Sequence, residues 1–252
     1  MNKTVLAIVA HPDDAEFLCA GTLALLKQKG WSVKMATMTP GDGGSVEFNR
    51  EEISKIRRAE AAKAASILGA EYYCMESEDI FIMYDKPTLL NTIALIRKTR
   101  PQIVLTMSPN CYMVDHETTS KIAQTACFSG GVVNIETPGI DPYFSIPHLY
   151  YADALEGKDK FGKEVKPSIV VDISSVIDTK EEMLKCHDSQ RSWLKKQHGI
   201  DEYINAMKGF SGNRGKEINV NFGEGFRQHL GHAYPQDNIL EKELGNLVHN
   251  RD

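Results

Sequence analysis

An α/β fold, with a Rossmann-like, mostly parallel sheet and helices on both faces, is predicted by three observations. Short apolar runs such as Val5-Leu6-Ala7-Ile8-Val9 alternate with segments of helical periodicity. The runs end in turn signals that lead into helices, the pattern of right-handed βαβ crossovers. At 252 residues the chain is long enough for one large domain of this kind or two small ones.

Taken in order, Val5–Val9 is the first strand, and helical signals run from Ala15 to about Lys29, closed by Gly30. Val33–Met38 is the second strand, followed by the loop Thr39-Pro40-Gly41-Asp42-Gly43-Gly44. A long helix spans about Arg50–Leu68, with Ile53, Ile56, Ala64 and Ile67 on its inward side and Gly69 ending it. Tyr72–Met75 reads as a third strand. Lys86-Pro87 starts a helix to about Thr99, and Pro101 breaks it before the strand Ile103–Met107. A loop through Cys111 and Tyr112 then leads to a helix from Asp115 to about Ala126. Gly130–Pro147 is a long Gly- and Pro-containing loop, in the manner of a lid. Tyr150–Ala154 and Ser168–Ile173 are two more strands, read as a hairpin around Gly157 and Gly162. Val176 to about Gln197 is a helix that holds His187 and Trp193, the latter expected in the core. The charged tail after Asp237 reads as a solvated end.

Composition narrows the function classes. A hydrophobic fraction of 42%, a charged fraction of 25% and a net charge of −5 describe an ordinary globular protein. Basic residues are scattered, with no aromatic-rich basic stripe, so no nucleic-acid partner is expected. No apolar run approaches the ~18–20 residues of a membrane span, and the N-terminus leads straight into a strand, so a cytoplasmic protein is expected. Five cysteines, odd in number and without a CxxC pair, agree with that compartment. Most read as buried thiols, and Cys111 reads as an inert loop thiol. A nucleotide-binding role would need Gly41–Gly44 as a phosphate cradle. The G-x-G-x-x-G that should follow the first strand is missing, and the carboxylates there repel phosphate.

The chemistry concentrates at two strand ends. The first strand runs into Ala10-His11-Pro12-Asp13-Asp14-Ala15-Glu16, which places an imidazole and several carboxylates where open α/β sheets bind ligands. Pro12 holds the helix back until after it, so His11 and Asp14 leave the turn from different positions and can converge, while Asp13 stays free to act on a water. A helix cap by Asp13 or Asp14 is the plainer alternative. The fourth strand leads to Asp115-His116, and a cap does not explain that histidine. Both clusters are expected on the same sheet edge, which favours a metal site with His11, Asp14 and His116 as ligands and one position open for water.

The Ala-His-Pro-Asp-Asp-x-Glu block, followed about a hundred residues later by Asp-His, resembles the PIG-L/LmbE-type zinc-dependent deacetylases. Thr39–Gly44 is similar to that family's Thr-x-Gly-(Glu/Asp)-x-Gly loop, and Arg57-Arg58-Ala59-Glu60-Ala61 to its Arg-Arg-x-Glu-Ala helix. The resemblance covers roughly the first 130 residues. It implies Zn2+, or another divalent metal, on His11, Asp14 and His116, with Asp13 as general base and Arg57 reaching toward substrate. The plainer reading of Arg57 is an i,i+3 pair with Glu60 on a solvated face. Glu16, Asp42 and Asp115 are candidates for holding the ligands in place. Where many members carry a histidine proposed to stabilise the oxyanion, this chain has Met113, which cannot donate a hydrogen bond. Tyr112, His229 and His232 are the candidate substitutes.

The resemblance further implies one domain over 1–252, with a core of roughly 1–200 carrying added strands and a docking helix. The extension, 201–252, would shape the pocket or an oligomer contact, and a homo-oligomer is expected. The implied activity is removal of an N-acetyl group from an N-acetylglucosamine-type amino sugar or conjugate. A non-catalytic metal- or sugar-binding relative is the alternative.

Overall fold

The structure, a computed structural model, describes residues 3–191 and 202–251. Eight strands form one sheet in the order β3-β2-β1-β4-β5-β7-β6-β8. The parallel part comprises β1 (Thr4–Val9), β2 (Ser32–Thr37), β3 (Glu71–Cys74), β4 (Ile103–Thr106) and β5 (His148–Ala152). β1 is fully buried along its length, as a central parallel strand covered on both faces must be. From it the chain winds outward to β2 and β3 on one side, then returns to β4 on the other. The strand order therefore reverses between β1 and β4, and a crevice opens at their carboxyl ends.

The helices of this half follow local rules. α3 (Arg50–Ile67) opens with a capping box in which Asn49 and Glu52 exchange side-chain and backbone hydrogen bonds. α4 (Lys86–Thr99) is capped by Asp85, which accepts from the Thr88 N–H at 2.9 Å, and has proline in its first turn. On α3 the inward face is Ile53, Arg57, Ala61, Ala64, Ala65 and Leu68, whereas Ile67 points outward. The expected inward Ile67 is thus corrected, and a charged residue takes a place on the buried side.

Several expectations are corrected by long-range contacts. The helix expected over 15–29 is two, α1 (Asp14–Leu18) and α2 (Ala20–Gln28), interrupted at Cys19. The break is held by Glu224, whose carboxylate accepts from the Gly21 and Thr22 N–H groups at 2.8 and 2.7 Å and from the Thr22 hydroxyl. A carboxylate at a helix N-terminus satisfies donors that have no partner within the helix. Lys180 neutralises it at 2.6 Å inside the protein. Gly21 is required by packing, because a Cβ there would lie 2.8 Å from the buried Ile173 side chain. Gly21→Ala should cost about 1–3 kcal/mol by overpacking, more than the roughly 0.5–1 kcal/mol that alanine gains over glycine in a helix. A lower urea midpoint measures it.

The strands expected as a hairpin do not pair with each other. β7 (Gly223–Gln228) lies between β5 and β6 (Ile169–Asp172), antiparallel to both. The sequence GEGFRQ carries no strand signature, since glycine is depleted in strands. Gly225 is needed because a Cβ would overlap the Asp153 carboxylate, which is buried against Arg214 at 2.7 Å. The helix expected from Val176 to Gln197 is broken: α6 (Ile177–Lys185) ends before Cys186, and helical backbone resumes only at 188–191; the part beyond 191, with Trp193, lies outside the described residues.

The tail after Asp237 is packed rather than solvated. α8 (Ile239–Leu244) buries Leu240 and Leu244, and β8 (Val248–Asn250) adds the last strand. α7 (Glu202–Lys216) packs against α6, β6 and β7. The loop over 130–147 is organised by the buried Arg97, whose guanidinium donates to the carbonyls of Gly130, Val132 and Ile135 and to the Thr137 hydroxyl. Among the described residues no helix is long and apolar enough to cross a membrane.

Candidate active site

The crevice between β1 and β4 is where both histidine and carboxylate clusters emerge. After Val9 the chain turns at Pro12, and Asp13 adopts a left-handed conformation with φ 103°. Such a backbone is uncommon outside glycine, and aspartate is among the residues that tolerate it. Its effect is to separate two adjacent carboxylates. Asp13 makes no side-chain cap bond, so the capping alternative is not realised there.

Asp14 turns back to the strand end. Its Oδ2 accepts from the His11 N–H at 2.7 Å and lies 3.3 Å from His11 Nδ1, while its Oδ1 lies 3.4 Å from His116 Nε2. His116 comes from the first turn of α5 (Val114–Ser129), on the carboxyl side of β4. One ligand-type atom from each of His11, Asp14 and His116 lies within 4.8 Å of the others, the one such group of three among the described residues. His116 Nε2 is buried and has no hydrogen-bond partner.

The outward-facing nitrogens are held by other groups. His11 Nε2 meets Asp115 Oδ2 at 3.2 Å, and His116 Nδ1 meets the buried Cys111 thiol at 3.3 Å. Each imidazole is therefore oriented from behind, with its remaining nitrogen turned toward Asp14. That is the arrangement in which histidines present a lone pair to a cation. The electrostatics agree. Burial opposes charge on His11, but Asp115 and Asp14 outweigh it and push its pKa up to about 10. His116, likewise opposed by burial, is raised by Asp14 to about 9. Burial would raise the Asp14 pKa, yet the two histidines bring it far below the usual carboxylate range. The carboxylates thus favour positive charge at the cluster, which protons on the imidazoles or a divalent cation displacing them would supply, and the donor set of two imidazoles and a carboxylate fits a cation such as zinc.

Asp13 points the other way, to Arg57 and Tyr203. Arg57 Nη2 donates to the Pro12 carbonyl at 2.6 Å and to Asp13 Oδ2 at 3.3 Å, and the Tyr203 hydroxyl donates to the same oxygen. Burial raises the Asp13 pKa, against the pull of Arg57 and with the help of the Asp14 charge. A carboxylate moved toward neutrality is better suited to proton transfer. Arg57 is buried, and Glu60, its expected partner, accepts instead from Ser189. The glycines of the 39–44 loop serve this arginine. A Cβ at Gly41, whose φ is +77°, or at Gly44 would overlap the guanidinium.

The other predicted residues are placed as follows. Asp115 touches His11 directly. Glu16 faces inward to His187, 3.4 Å away, and not to the histidines of the cluster. Asp42 accepts from the Asp79 N–H and from Arg50, so it ties two loops together. Tyr112 and Met113 line the cavity, Tyr112 half exposed at its mouth. His229 and His232 do not line it. β7 runs antiparallel to β5, so His229 leaves it beside Leu149 at the amino end of β5, the sheet edge opposite the crevice. There His229 meets the Tyr151 hydroxyl at 2.9 Å, and His232 is exposed. The expectation that His232 reaches the pocket of its own chain is corrected by strand direction. Sequence reasoning missed Tyr203. Its only signal was the helical spacing of Tyr203, Ala206, Phe210 and Asn213, which together form one wall of the cavity.

Cys111, expected to be inert, is the partner of His116. Removing a group that orients a metal-binding histidine lowers metal affinity by about 10–100-fold. Cys111→Ala should show a loss of that size in chelator competition, and Cys111→Ser should retain most of the affinity.

Comparison with known proteins places these residues in context. The PIG-L family model, described as GlcNAc-PI de-N-acetylase, matches residues 6–127. The chain is 28% identical to 4-oxalmesaconate hydratase of Pseudomonas putida over 75% of this chain and 74% of that protein. It is 27% identical to diacetylchitobiose deacetylase of Thermococcus kodakarensis over 75% of this chain and 70% of that protein. Among solved structures, N,N'-diacetylchitobiose deacetylase of Pyrococcus horikoshii superposes with a TM-score of 0.78 at 25% identity, covering 94% of this chain and 88% of the other.

Proposed function

With the match of the PIG-L family model to residues 6–127 as the premise, we propose that the protein is a zinc-dependent hydrolase that removes the N-acetyl group of an N-acetylglucosamine-type sugar or conjugate. The observation that carries this reading is the convergence of His11, Asp14 and His116, with His116 Nε2 buried, facing Asp14 and making no hydrogen bond, beside a second carboxylate, Asp13, turned away from the cluster. A divalent cation held there supplies polarisation of the amide carbonyl and acidification of an adjacent water.

The chain's own residues do the rest. Asp13 takes a proton from the attacking water as the new C–O bond forms, then returns it to the nitrogen as the C–N bond breaks, giving acetate and a free amine. Arg57 and Tyr203 fix the carboxylate for both transfers. Asp115 and Cys111 keep the two imidazoles aimed. The five cysteines are all unpaired, which suits a cytoplasmic enzyme.

Amine release from N-acetylglucosamine and diacetylchitobiose, measured with an amine-reactive fluorophore on zinc-loaded protein, tests the proposal. Release that stops on chelation and returns with zinc supports it. The absence of release from any N-acetylated sugar by fully loaded protein overturns it and favours a non-catalytic sugar- or metal-binding protein. The comparable identity to a hydratase favours one second reading, water addition to an unsaturated carboxylate with Asp13 again moving the proton. Loss of the alkene absorbance of such an acid distinguishes it.

A further inference from the structure

The cavity in front of Asp13 and Asp14 measures about 940 Å³, at the upper end for a small-ligand site. Beyond the ion-facing cluster and the Asp13–Arg57–Tyr203 group, the described polar side chains on its walls are Asp79, Glu156, Gln190 and Asn213, with the Tyr112 hydroxyl at the mouth. Gln190 already donates to the Gly44 carbonyl, while Asp79 keeps one buried oxygen without a partner. That complement serves the hydroxyls of one sugar ring. The remaining wall is apolar. Phe17 of α1 and Phe210 of α7 meet with ring centres 6.1 Å apart, and Ile80, Val114, Leu155 and the ring of Tyr112 surround the mouth. Arg57 is the single lysine or arginine among the described lining residues, and Asp13 and two carbonyls occupy it.

Ile80 is the telling residue of the rim. The residue is 79% exposed and its φ is 72°, a conformation in which a β-branched residue is a genuine outlier. The backbone is fixed there because the Ile80 N–H donates to Asp115 Oδ2 at 2.7 Å, the same oxygen that meets His11. Glycine or asparagine would adopt this turn with less strain. The exposed isoleucine side chain buries little of itself in the free protein, and backbone strain of this kind clusters at ligand sites.

Resting on the deacetylase reading, we propose that the substrate is an uncharged N-acetylglucosaminide whose aglycone is apolar, an alkyl or aryl group received at the rim by Ile80 and Val114. The acetyl group is the part nearest the ion. The exposed rim therefore meets the far end of the substrate, which is the aglycone and not the acyl chain. Ile80 is a specificity-determining residue.

The test compares N-acetylglucosamine with its methyl, butyl and hexyl β-glycosides, its 1-phosphate and N-hexanoylglucosamine, on zinc-loaded wild type and Ile80→Gly. In the wild type kcat/KM should rise about three- to fourfold per methylene over the first few carbons, with no gain from the phosphate or the longer acyl chain. In Ile80→Gly that slope should flatten while the urea midpoint stays equal or rises, an outcome that a merely structural isoleucine would not give. A flat wild-type series, or a gain from the phosphate or the acyl chain instead, overturns the proposal. An unchanged slope in Ile80→Gly overturns the role of Ile80. Calorimetric binding of the same glycosides to zinc-loaded Asp13→Asn separates this inference from the reading beneath it. Chain-length dependence of affinity without turnover in the wild type would sink the deacetylase and keep the apolar site, and no dependence would sink the site itself.

Discussion

Asp13→Asn is expected to lower amine release by about 10²–10⁴-fold, the range for loss of a positioned general base, while the protein keeps its full complement of zinc. The two effects separate because the turn separates the two carboxylates. Asp13 lies in a left-handed conformation that directs it to Arg57 and Tyr203, and of these two neighbours it is Asp14 that faces the histidines. Asparagine suits this test better than alanine, since it tolerates the left-handed backbone and keeps the shape of the side chain. It cannot accept the proton. Arg57 would lose its charged partner yet keep the Pro12 and Gly41 carbonyls, so the fold should survive with a modest drop in urea midpoint. Elemental analysis reads the zinc and the fluorogenic assay reads the rate. Wild-type turnover in the variant, or loss of zinc from it, would remove Asp13 from the role of base.

His116→Ala should behave in the opposite order, losing the metal first and activity as a consequence. Two ligand-type side chains would remain, on one short turn, and Asp14 Oδ1 would be left facing a cavity. A site reduced from three protein ligands to two binds zinc far more weakly, beyond the roughly 10–100-fold that an outer partner contributes. The clearest readout is thermal. Zinc that binds only the native state raises the melting temperature of the wild type by mass action, and the same additions should leave His116→Ala unmoved. A zinc-dependent rise of equal size in both proteins would mean that the ion is held elsewhere. The variant also leaves Cys111 without its imidazole partner, so the Cys111→Ala protein, with its smaller loss of affinity, is the natural control.

Much of this centre was legible before any coordinates, and particular residues show why. His11, Asp14 and His116 each sit within a few residues of a parallel strand's carboxyl end, and β/α alternation sends such ends to one edge. Asp115 was found beside His116 for the same reason. The sequence leaves Arg57 between a substrate-facing role and a solvated pair with Glu60, and its buried place on α3 is decided by which face of that helix packs inward. Glu16 and Asp42 were candidates by proximity in sequence, yet their carboxylates are used elsewhere, one against His187 and one between two loops. His232 failed for a directional reason. A glycine-flanked loop histidine says nothing about which end of the sheet its strand delivers it to.

The amino-acid sequence by itself determined the parallel β/α half of the protein and the meeting of two histidines with a carboxylate, because short patterns of hydrophobic period, cap and turn residues act within a few positions of one another. Only the tertiary structure decided that β7 enters between β5 and β6, that Glu224 splits the first helix from 203 positions away, and that Tyr203 closes on Asp13 across 190. Those outcomes depend on which distant surfaces bury each other, and no local propensity specifies a partner so far along the chain.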